Sequence, residues 1–161
     1  MTLTHARKLT HDMIPAENYT AAMGLVYAQI ELTNTLDTGV AQRGFMRPDE
    51  VRRTTVTVLV DSGAYTLAIN ERVREALGLD LVGSETGSLA DGTKITIPIA
   101  SAVDVRFENR TTTVRPMVLP GDAEVLLGAI PMEGMDLVVD LRRQVLLVNP
   151  LHPDVGQFSL K

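Results

Sequence analysis

Short runs in which apolar and polar residues alternate recur along this chain, and a period of two is typical of β-strands. The most regular run covers residues 54–60, where Val56, Val58 and Val60 alternate with Thr55, Thr57 and Leu59. Further runs of strand character cover residues 25–32, 103–107, 111–115, 137–140 and 145–148. Many of these positions are β-branched, which favours extended backbone. The pattern therefore predicts a mainly β domain.

Turn-forming residues separate several of the predicted strands. Asp91-Gly92 divides residues 87–99 into two halves, and this dipeptide favours a two-residue hairpin turn. Residues 108–110 and 141–144 separate two further strand pairs. We therefore expect a series of hairpins, of which the one at Asp91-Gly92 protrudes from the surface.

One short helix interrupts the strand pattern. Asn70 is a favourable N-cap for residues 71–77, and Gly78 follows as a helix stop. The expected buried face of this helix consists of Val73, Ala76 and Leu77. We expect the helix to contribute packing rather than chemistry.

The chain divides into a core and two flanking segments. Residues 1–22 are polar and aperiodic, which predicts a flexible N-terminal extension. Residues 23–150 form the expected domain, and residues 151–161 form a C-terminal tail. Within the domain, residues 33–53 are expected to be a polar connection, in which residues 48–53 form either a short helix or a solvated loop.

Composition limits the class of protein. With 161 residues and 45% hydrophobic content, the chain can bury one substantial core. A net charge of −5 and the lack of a dense Lys/Arg patch argue against a nucleic-acid partner. No apolar stretch has the length of a secretory leader or a membrane span, so no membrane association is expected and the cytoplasm is the expected location.

Residues that bind metals or form covalent intermediates are scarce. The absence of cysteine excludes disulfides, thiolate catalysis and cysteine-ligated zinc. The three histidines, His5, His11 and His152, lie outside the predicted core, and none belongs to a His-Glu-x-x-His pair. No Gly-x-Ser-x-Gly elbow, P-loop or dinucleotide-binding glycine motif occurs. We expect neither a metal nor an organic cofactor.

Asp61, Ser62 and Gly63 form the most informative polar segment. They follow directly on the run at residues 54–60, so the carboxylate would lie beside the core, where an unused charge is costly. The Ser62 hydroxyl can fix a loop by hydrogen bonding, and Gly63 permits close approaches that a side chain would block. Asp-Ser-Gly is also ordinary turn chemistry, and the preceding strand is what makes this copy notable.

The same three-residue pattern occurs a second time, at Asp37-Thr38-Gly39. Polar residues precede it, and no apolar strand leads into it. We therefore expect Asp37 to lie in a surface connection and to have no catalytic role.

Three segments, taken in chain order, resemble the retropepsin-like aspartic proteases, specifically the small bacterial members with a single Asp-Ser/Thr-Gly motif. They are the strand that ends in Asp61-Ser62-Gly63-Ala64, the hairpin at Asp91-Gly92 and Val125-Leu126-Leu127-Gly128. The resemblance covers residues 23–150. It implies a mainly β acid-protease closed barrel with one or two short helices, equivalent to half of a pepsin-like bilobal enzyme.

The resemblance implies an aspartic endopeptidase, which hydrolyses peptide bonds with an activated water. This chemistry needs one carboxylate as base and a second as acid, and Asp61 is the one credible candidate in the chain. A homodimer would bring two copies of Asp61 together beside a two-fold axis. The expected partners are therefore a peptide or protein substrate and a second copy of the chain.

The family's site residues carry over to the positions that match its motifs. The catalytic positions would be Asp61, Ser62, which braces the two loops, and Gly63, which lies near the water. The substrate-binding positions, with the hairpin acting as a flap, would be Ala64, Ala90, Asp91 and Gly92. The loop that supports the catalytic strand would contain Leu126, Leu127 and Gly128. The apolar residues Leu89, Ile97, Ile130 and Met132 are expected to belong to the core rather than to substrate pockets.

The chain departs from the viral pattern in two places, and two alternatives to an active protease stay open. Ala129 and Ile130 follow Gly128 where viral enzymes carry an arginine and then Asp or Asn, which bears on dimer stability. Tyr65 and Thr66 stand where acids usually hold the substrate backbone. The fold could instead serve as a catalytically weak or inactive dimerisation or peptide-binding module. A milder variant is a protease kept latent by residues 1–22.

Overall fold

The computed structural model describes residues 24–160. The expectations of a flexible extension over residues 1–22 and of a domain start at residue 23 lie outside the described residues. His5 and His11 also lie outside them.

Strands dominate the described chain, which confirms the prediction of a mainly β fold. One sheet has nine strands in the order β4-β5-β8-β3-β9-β2-β1-β6-β7, and β10 and β11 form a separate antiparallel pair. The strands are β1 Tyr27–Asn34, β2 Arg53–Val60, β3 Ala68–Asn70, β4 Leu81–Ser88, β5 Lys94–Ala100, β6 Val103–Phe107, β7 Arg110–Val114, β8 Met117–Leu119, β9 Leu126–Leu127, β10 Leu137–Asp140 and β11 Val145–Val148.

Within residues 24–160, three short helices and one 3₁₀ turn lie between the strands. They are α1 Thr35–Gln42, the 3₁₀ turn Pro48–Glu50, α2 Glu71–Leu77 and α3 Ala129–Gly134. The prediction of α2 is confirmed, because the Asn70 side chain accepts the Val73 N–H at 2.9 Å and Gly78 ends the helix with a φ of 62°. The expected buried face is only partly right, since Val73 and Leu77 are buried but Ala76 is exposed.

The expectation of a polar surface connection at residues 33–53 is wrong in its first half. Residues 35–42 form α1, which begins where the Asn34 side chain accepts the Asp37 N–H at 3.1 Å. The hydrophobic pattern of the sequence does not predict this helix, because few of its positions are apolar and Gly39 lies in its middle. The helix is stabilised by contacts with distant residues, which include a bond from the Asn34 amide to the Leu77 carbonyl at 2.8 Å.

The hairpin predicted at Asp91-Gly92 is present as β4 and β5, but its turn differs from the two-residue type. A two-residue type I′ turn needs positive φ at both central residues, and here only Gly92 has it, at 86°. Residues 89–93 form a longer connection in which the Gly92 N–H donates to the Leu89 carbonyl at 2.9 Å. The Asp91 carboxylate accepts the Thr93 N–H at 2.8 Å, which stabilises this wider turn locally.

The core lies on one side of the central strands. β1 and β2 pair over seven positions, from Tyr27 with Leu59 to Thr33 with Arg53. Ala28, Ile30 and Leu32 alternate on β1 as fully buried residues, as a period of two requires. Buried residues from other elements complete the core, among them Val58, Leu67, Leu77, Leu127 and Met135. None of the helices within residues 24–160 has the length and apolar character that crossing a membrane requires.

Candidate active site

Asp61 follows the last residue of β2, at the edge of the core. Its backbone N–H donates to the Leu127 carbonyl at 3.0 Å, which extends the parallel pairing of Val60 with Leu127 by one step. The Asp61 residue is half-buried, so its carboxylate borders both the core and water. The strand therefore holds the backbone of Asp61 firmly while the side chain stays accessible.

Residues 61–66, which we call the Asp61 loop, begin with a tight turn. The Ala64 N–H donates to the Asp61 carbonyl at 3.0 Å, and the Gly63 N–H donates to Asp61 Oδ1 at 2.9 Å. A Cβ atom on Gly63 would lie 3.2 Å from the same carboxylate oxygen, which is closer than an ordinary contact. Asp61 Oδ2 accepts no hydrogen bond from the described residues. One carboxylate oxygen is thus oriented by the loop and the other is free to meet a ligand.

Gly128 packs against the backbone of the Asp61 loop. A Cβ atom at this position would lie 2.3 Å from the Thr66 carbonyl oxygen and 2.6 Å from that of Ala64. Only glycine tolerates so close an approach of two backbones. Gly128 therefore lies directly against the Asp61 loop, and the supporting role that the resemblance implies for it stays a prediction.

The first turn of α3 completes this support. The Ala129 N–H donates to the Ala64 carbonyl at 2.9 Å, and the Ile130 N–H donates to the Tyr65 carbonyl at 3.1 Å. The first N–H groups of a helix have no partner inside the helix, so here the loop carbonyls satisfy them. The Asp61 loop is consequently held by β9 on one side and by α3 on the other.

The structure brings two of the three predicted segments into contact, whereas the tip of the third shares no hydrogen bond with the Asp61 loop among the described residues. Residues 61–64 and 126–128 meet through the contacts described above. Ala90, Asp91 and Gly92 lie at the exposed tip of the β4–β5 hairpin. Within residues 24–160, no hydrogen bond joins that tip to the Asp61 loop. The contribution of the tip to substrate binding therefore stays a prediction.

A groove of about 400 Å³ adjoins the Asp61 loop and includes residues that the sequence analysis did not assign to the site. Its lining includes Tyr65, Thr66, residues 82–85 of β4, Arg115 and Ile130. The expectation that Ile130 and Leu89 belong to the core is wrong, since they are 43% and 47% exposed. The same expectation is confirmed for Met132, which is buried. Ile97 is half-buried. The exposure of Ile130 follows from its place at the start of α3, which periodicity does not show.

The chemistry available at this site is that of a carboxylate, backbone amides and a hydroxyl. Ser62 is exposed, and its hydroxyl makes no hydrogen bond with the part of the chain that the structure describes. Within that same part, no three His, Cys, Asp or Glu side chains converge as metal ligands would. An oriented but accessible carboxylate is suited to move a proton to or from a bound water.

Two solved structures are similar to this chain, a retroviral protease-like domain of Ddi1 from Leishmania major and a retropepsin-like aspartic protease from Rickettsia conorii. Their sequence identities are 20% and 23%, with TM-scores of 0.42 and 0.38. The matches cover 60% and 58% of this chain, and 81% and 79% of the respective structures.

Neither structural similarity is close enough to transfer an activity, and no curated protein matches the chain. The family model described as aspartyl protease matches residues 48–129, which is just over half of the chain and includes the Asp61 loop, β9 and Gly128. This protein belongs to the aspartyl protease family.

Proposed function

We propose that this protein is an aspartic endopeptidase whose active site forms when the Asp61 loops of two chains meet. The observation that carries the proposal is the construction around Asp61. A carboxylate with one oxygen held by the Gly63 N–H and the other open lies on a loop that β9 and α3 support from two sides. Such rigid support around one accessible side chain is typical of a catalytic group.

The proposed reaction needs two carboxylates in different protonation states. One Asp61 carboxylate accepts a proton from water, and the resulting hydroxide attacks the carbonyl carbon of the peptide bond. The protonated Asp61 of the second chain donates its proton to the carbonyl oxygen. The first Asp61, now protonated, then gives its proton to the leaving nitrogen. The second Asp61 takes a proton back from a hydroxyl group of the tetrahedral intermediate as the carbon–nitrogen bond breaks. Two adjacent carboxylates share one proton, because repulsion between two negative charges at so short a distance disfavours ionisation of both groups.

The dimer supplies the second carboxylate, because each chain contributes one Asp61. A two-fold axis beside the Asp61 loop would also place the exposed Ser62 hydroxyl of one chain near the loop of the other. This arrangement gives Ser62 a bracing role that it does not have within the described chain.

The substrate would bind in an extended conformation. β4 is an outer strand of the nine-stranded sheet, and all of its residues are exposed, so its free backbone groups can pair with a peptide. The groove between β4 and Tyr65 provides room for side chains next to that edge. In this proposal the hairpin tip closes over the bound peptide as a flap and limits the access of water.

The test compares the wild-type protein with Asp61→Asn on a mixed peptide library, with cleavage products identified by mass spectrometry from mildly acidic to neutral pH. We expect products with the wild type and none with the variant. Asp49→Asn is the matched control, since its side chain is 75% exposed and lies outside the site. Absence of products with the wild type at every pH and concentration would favour a binding module instead.

The dimer has a test of its own. Wild-type and Asp61→Asn chains are mixed at constant total concentration and allowed to exchange, and the rate of cleavage is measured against the wild-type fraction. If each active unit needs two Asp61 carboxylates, the rate falls with the square of that fraction. A linear fall would mean that a single chain carries out the reaction, and the two-chain site would be wrong.

A further inference from the structure

The central strands have an open face opposite the core. Leu59 on β2 pairs with Tyr27 on β1 and with Leu126 on β9, so these three residues lie in one row across the sheet. All three are half-buried, whereas their neighbours on the core side, Ala28, Val58 and Leu127, are fully buried. Because side chains alternate between the faces of a sheet, Tyr27, Leu59 and Leu126 share a surface that we call the open face.

Asp61 and Glu124 extend the open face in opposite directions. Asp61 lies two residues beyond Leu59, and Glu124 lies two residues before Leu126. The Leu59 N–H donates to the Val125 carbonyl at 2.9 Å, so the two segments remain paired just before β9 begins. Four residues along the paired segments therefore separate the rows of the two carboxylates, which corresponds to about 13 Å at the rise of a β-strand.

Glu124 lies beside Tyr27 and lacks a cationic partner. Burial, together with the neighbouring Glu124 carboxylate, raises the pKa of Tyr27 to about 12. Among residues 24–160, no Lys, Arg or His forms an ion pair with Glu124. The nearby Arg72 instead pairs with Asp122 at 3.0 Å. An exposed carboxylate without a cationic partner can accept charge-assisted hydrogen bonds from a cation supplied by a ligand.

We propose that Glu124, beside Tyr27 on the open face, is a specificity-determining residue that selects peptides with Lys or Arg close to the cleaved bond. The inference rests on the proposed function of Asp61. A peptide that crosses Asp61 can direct a side chain along the open face toward Glu124. The long aliphatic chains of Lys and Arg, together with the side chain of Glu124, can span the distance between the rows of Asp61 and Glu124, whereas short side chains cannot. The Tyr27 ring offers an apolar and π surface along which such a stem can lie.

The test measures selectivity rather than activity alone. Wild type, Glu124→Gln, Glu124→Lys and Tyr27→Phe are each given one peptide pool in which every sequence occurs with Lys, Arg, norleucine or Glu at each scanned position. We expect the wild-type ratio of kcat/KM for basic over norleucine peptides to fall about tenfold in Glu124→Gln, because a charged hydrogen-bonded contact is lost.

The other variants sharpen the result. We expect Glu124→Lys to reverse the preference toward acidic peptides, and Tyr27→Phe to lower the ratio by about threefold through poorer positioning of the carboxylate. Glu75→Gln is the matched control, since it removes the same charge from an exposed position on α2, and we expect its ratio to equal that of the wild type.

Binding of the same peptides to Asp61→Asn chains, with and without Glu124→Gln, separates the two proposals. Cleavage without a Glu124-dependent basic preference would overturn this inference and leave the proposed function intact. A Glu124-dependent basic preference in binding, without cleavage by the wild type, would support the recognition site and overturn the proposed hydrolysis. Absence of both would overturn both.

Discussion

Two triplets of the same pattern, Asp37-Thr38-Gly39 and Asp61-Ser62-Gly63, occupy very different places in this protein. Asp37 lies in the first turn of α1 with 4% of its side chain exposed, whereas Asp61 is half-buried at the end of a strand. The Asp37 carboxylate accepts three hydrogen bonds, whereas the Asp61 carboxylate accepts a single one from the described residues, from Gly63 of its own loop. The triplet itself therefore does not determine how its carboxylate is used.

The partners of Asp37 show what its carboxylate does. The Arg52 side chain donates to both carboxylate oxygens at 2.8 and 2.9 Å, and the Arg52 backbone N–H donates at 3.0 Å. These contacts fasten α1 to the start of β2. The expectation that Asp37 lies in a surface connection is wrong. A polar segment without apolar periodicity need not lie wholly at the surface, and Asp37 in this one is buried. A carboxylate can be buried when a paired arginine compensates its charge.

The contrast separates two uses of one chemical group. Asp37 is saturated with donors, so it stabilises the fold and has nothing left to offer a ligand. Asp61 keeps an oxygen open, so it adds little to the fold and remains available for chemistry. The predictions that follow exchange or remove these properties one at a time.

The largest expected effect is on the activity of Asp61→Asn. Loss of the carboxylate removes the proposed base and acid, and we expect cleavage to fall on the order of 10³-fold or more. Because the Asp61 side chain has one hydrogen bond within its own loop, we expect the free energy of unfolding to change by less than about 0.5 kcal/mol. Peptide cleavage and urea denaturation on the same preparation measure both. A large loss of stability would mean that Asp61 is a structural residue like Asp37.

Asp37→Asn should show the reverse behaviour. Breaking a buried ion pair costs about 3–5 kcal/mol, and since the Arg52 side chain is 48% exposed we expect a smaller loss of about 2–3 kcal/mol. The folded fraction should cleave peptides at the wild-type rate. Denaturant titration gives the stability, and activity is normalised to the folded fraction. A folded but inactive variant would contradict the separation of roles.

The pH dependence of stability provides a second test of the Asp37 pair. The hydrogen bonds from Arg52 lower the pKa of Asp37 below its usual value of 3.8. Its contribution is therefore complete above pH 3.8 and is lost as the pH falls through the lower folded-state pKa. We expect the stability difference between wild type and Asp37→Asn to be constant near neutral pH and to shrink below pH 3.8. A difference that grows in acid would exclude this explanation.

Gly128→Ala should damage the site through its supporting contacts. The added Cβ overlaps the carbonyl oxygens of Ala64 and Thr66, so the Asp61 loop must move. We expect a loss of about 1–3 kcal/mol in stability and a fall of about 10²-fold in cleavage by the folded protein. Thermal unfolding and cleavage assays measure the two effects. Wild-type cleavage by this variant would show that the position of the loop is not critical.

Gly39→Ala, in the second triplet, should have the smallest effect and the opposite sign. Nothing lies within 4 Å of a Cβ at Gly39, and the residue is inside α1. Alanine favours the helical conformation over glycine by about 0.5–1 kcal/mol. We expect a correspondingly higher melting temperature with unchanged cleavage. A destabilised variant would indicate a contact of α1 that the described residues do not contain.

The elements that the sequence predicts well are those whose stability is local. Helix α2 has its N-cap at Asn70 and its stop at Gly78, and both act within a few residues. The strand before Asp61 follows from alternation of valines, and its burial on one face confirms the pattern. Helix α1 could not be predicted in this way, because Asn34 and Asp37 bind Leu77 and Arg52 from other parts of the chain.

The candidate site likewise contains features that adjacent residues determine and features that depend on packing between distant segments. The sequence alone determined that Asp61 follows an apolar strand into a glycine-containing turn, because alternation and turn chemistry are encoded in adjacent residues. Only the tertiary structure decided that Gly128 lies against the carbonyls of Ala64 and Thr66 and that Leu126 shares a row with Leu59 and Tyr27. Those relations depend on the register of β9 against β2, which is set by packing between segments more than sixty residues apart and leaves no mark in either segment by itself.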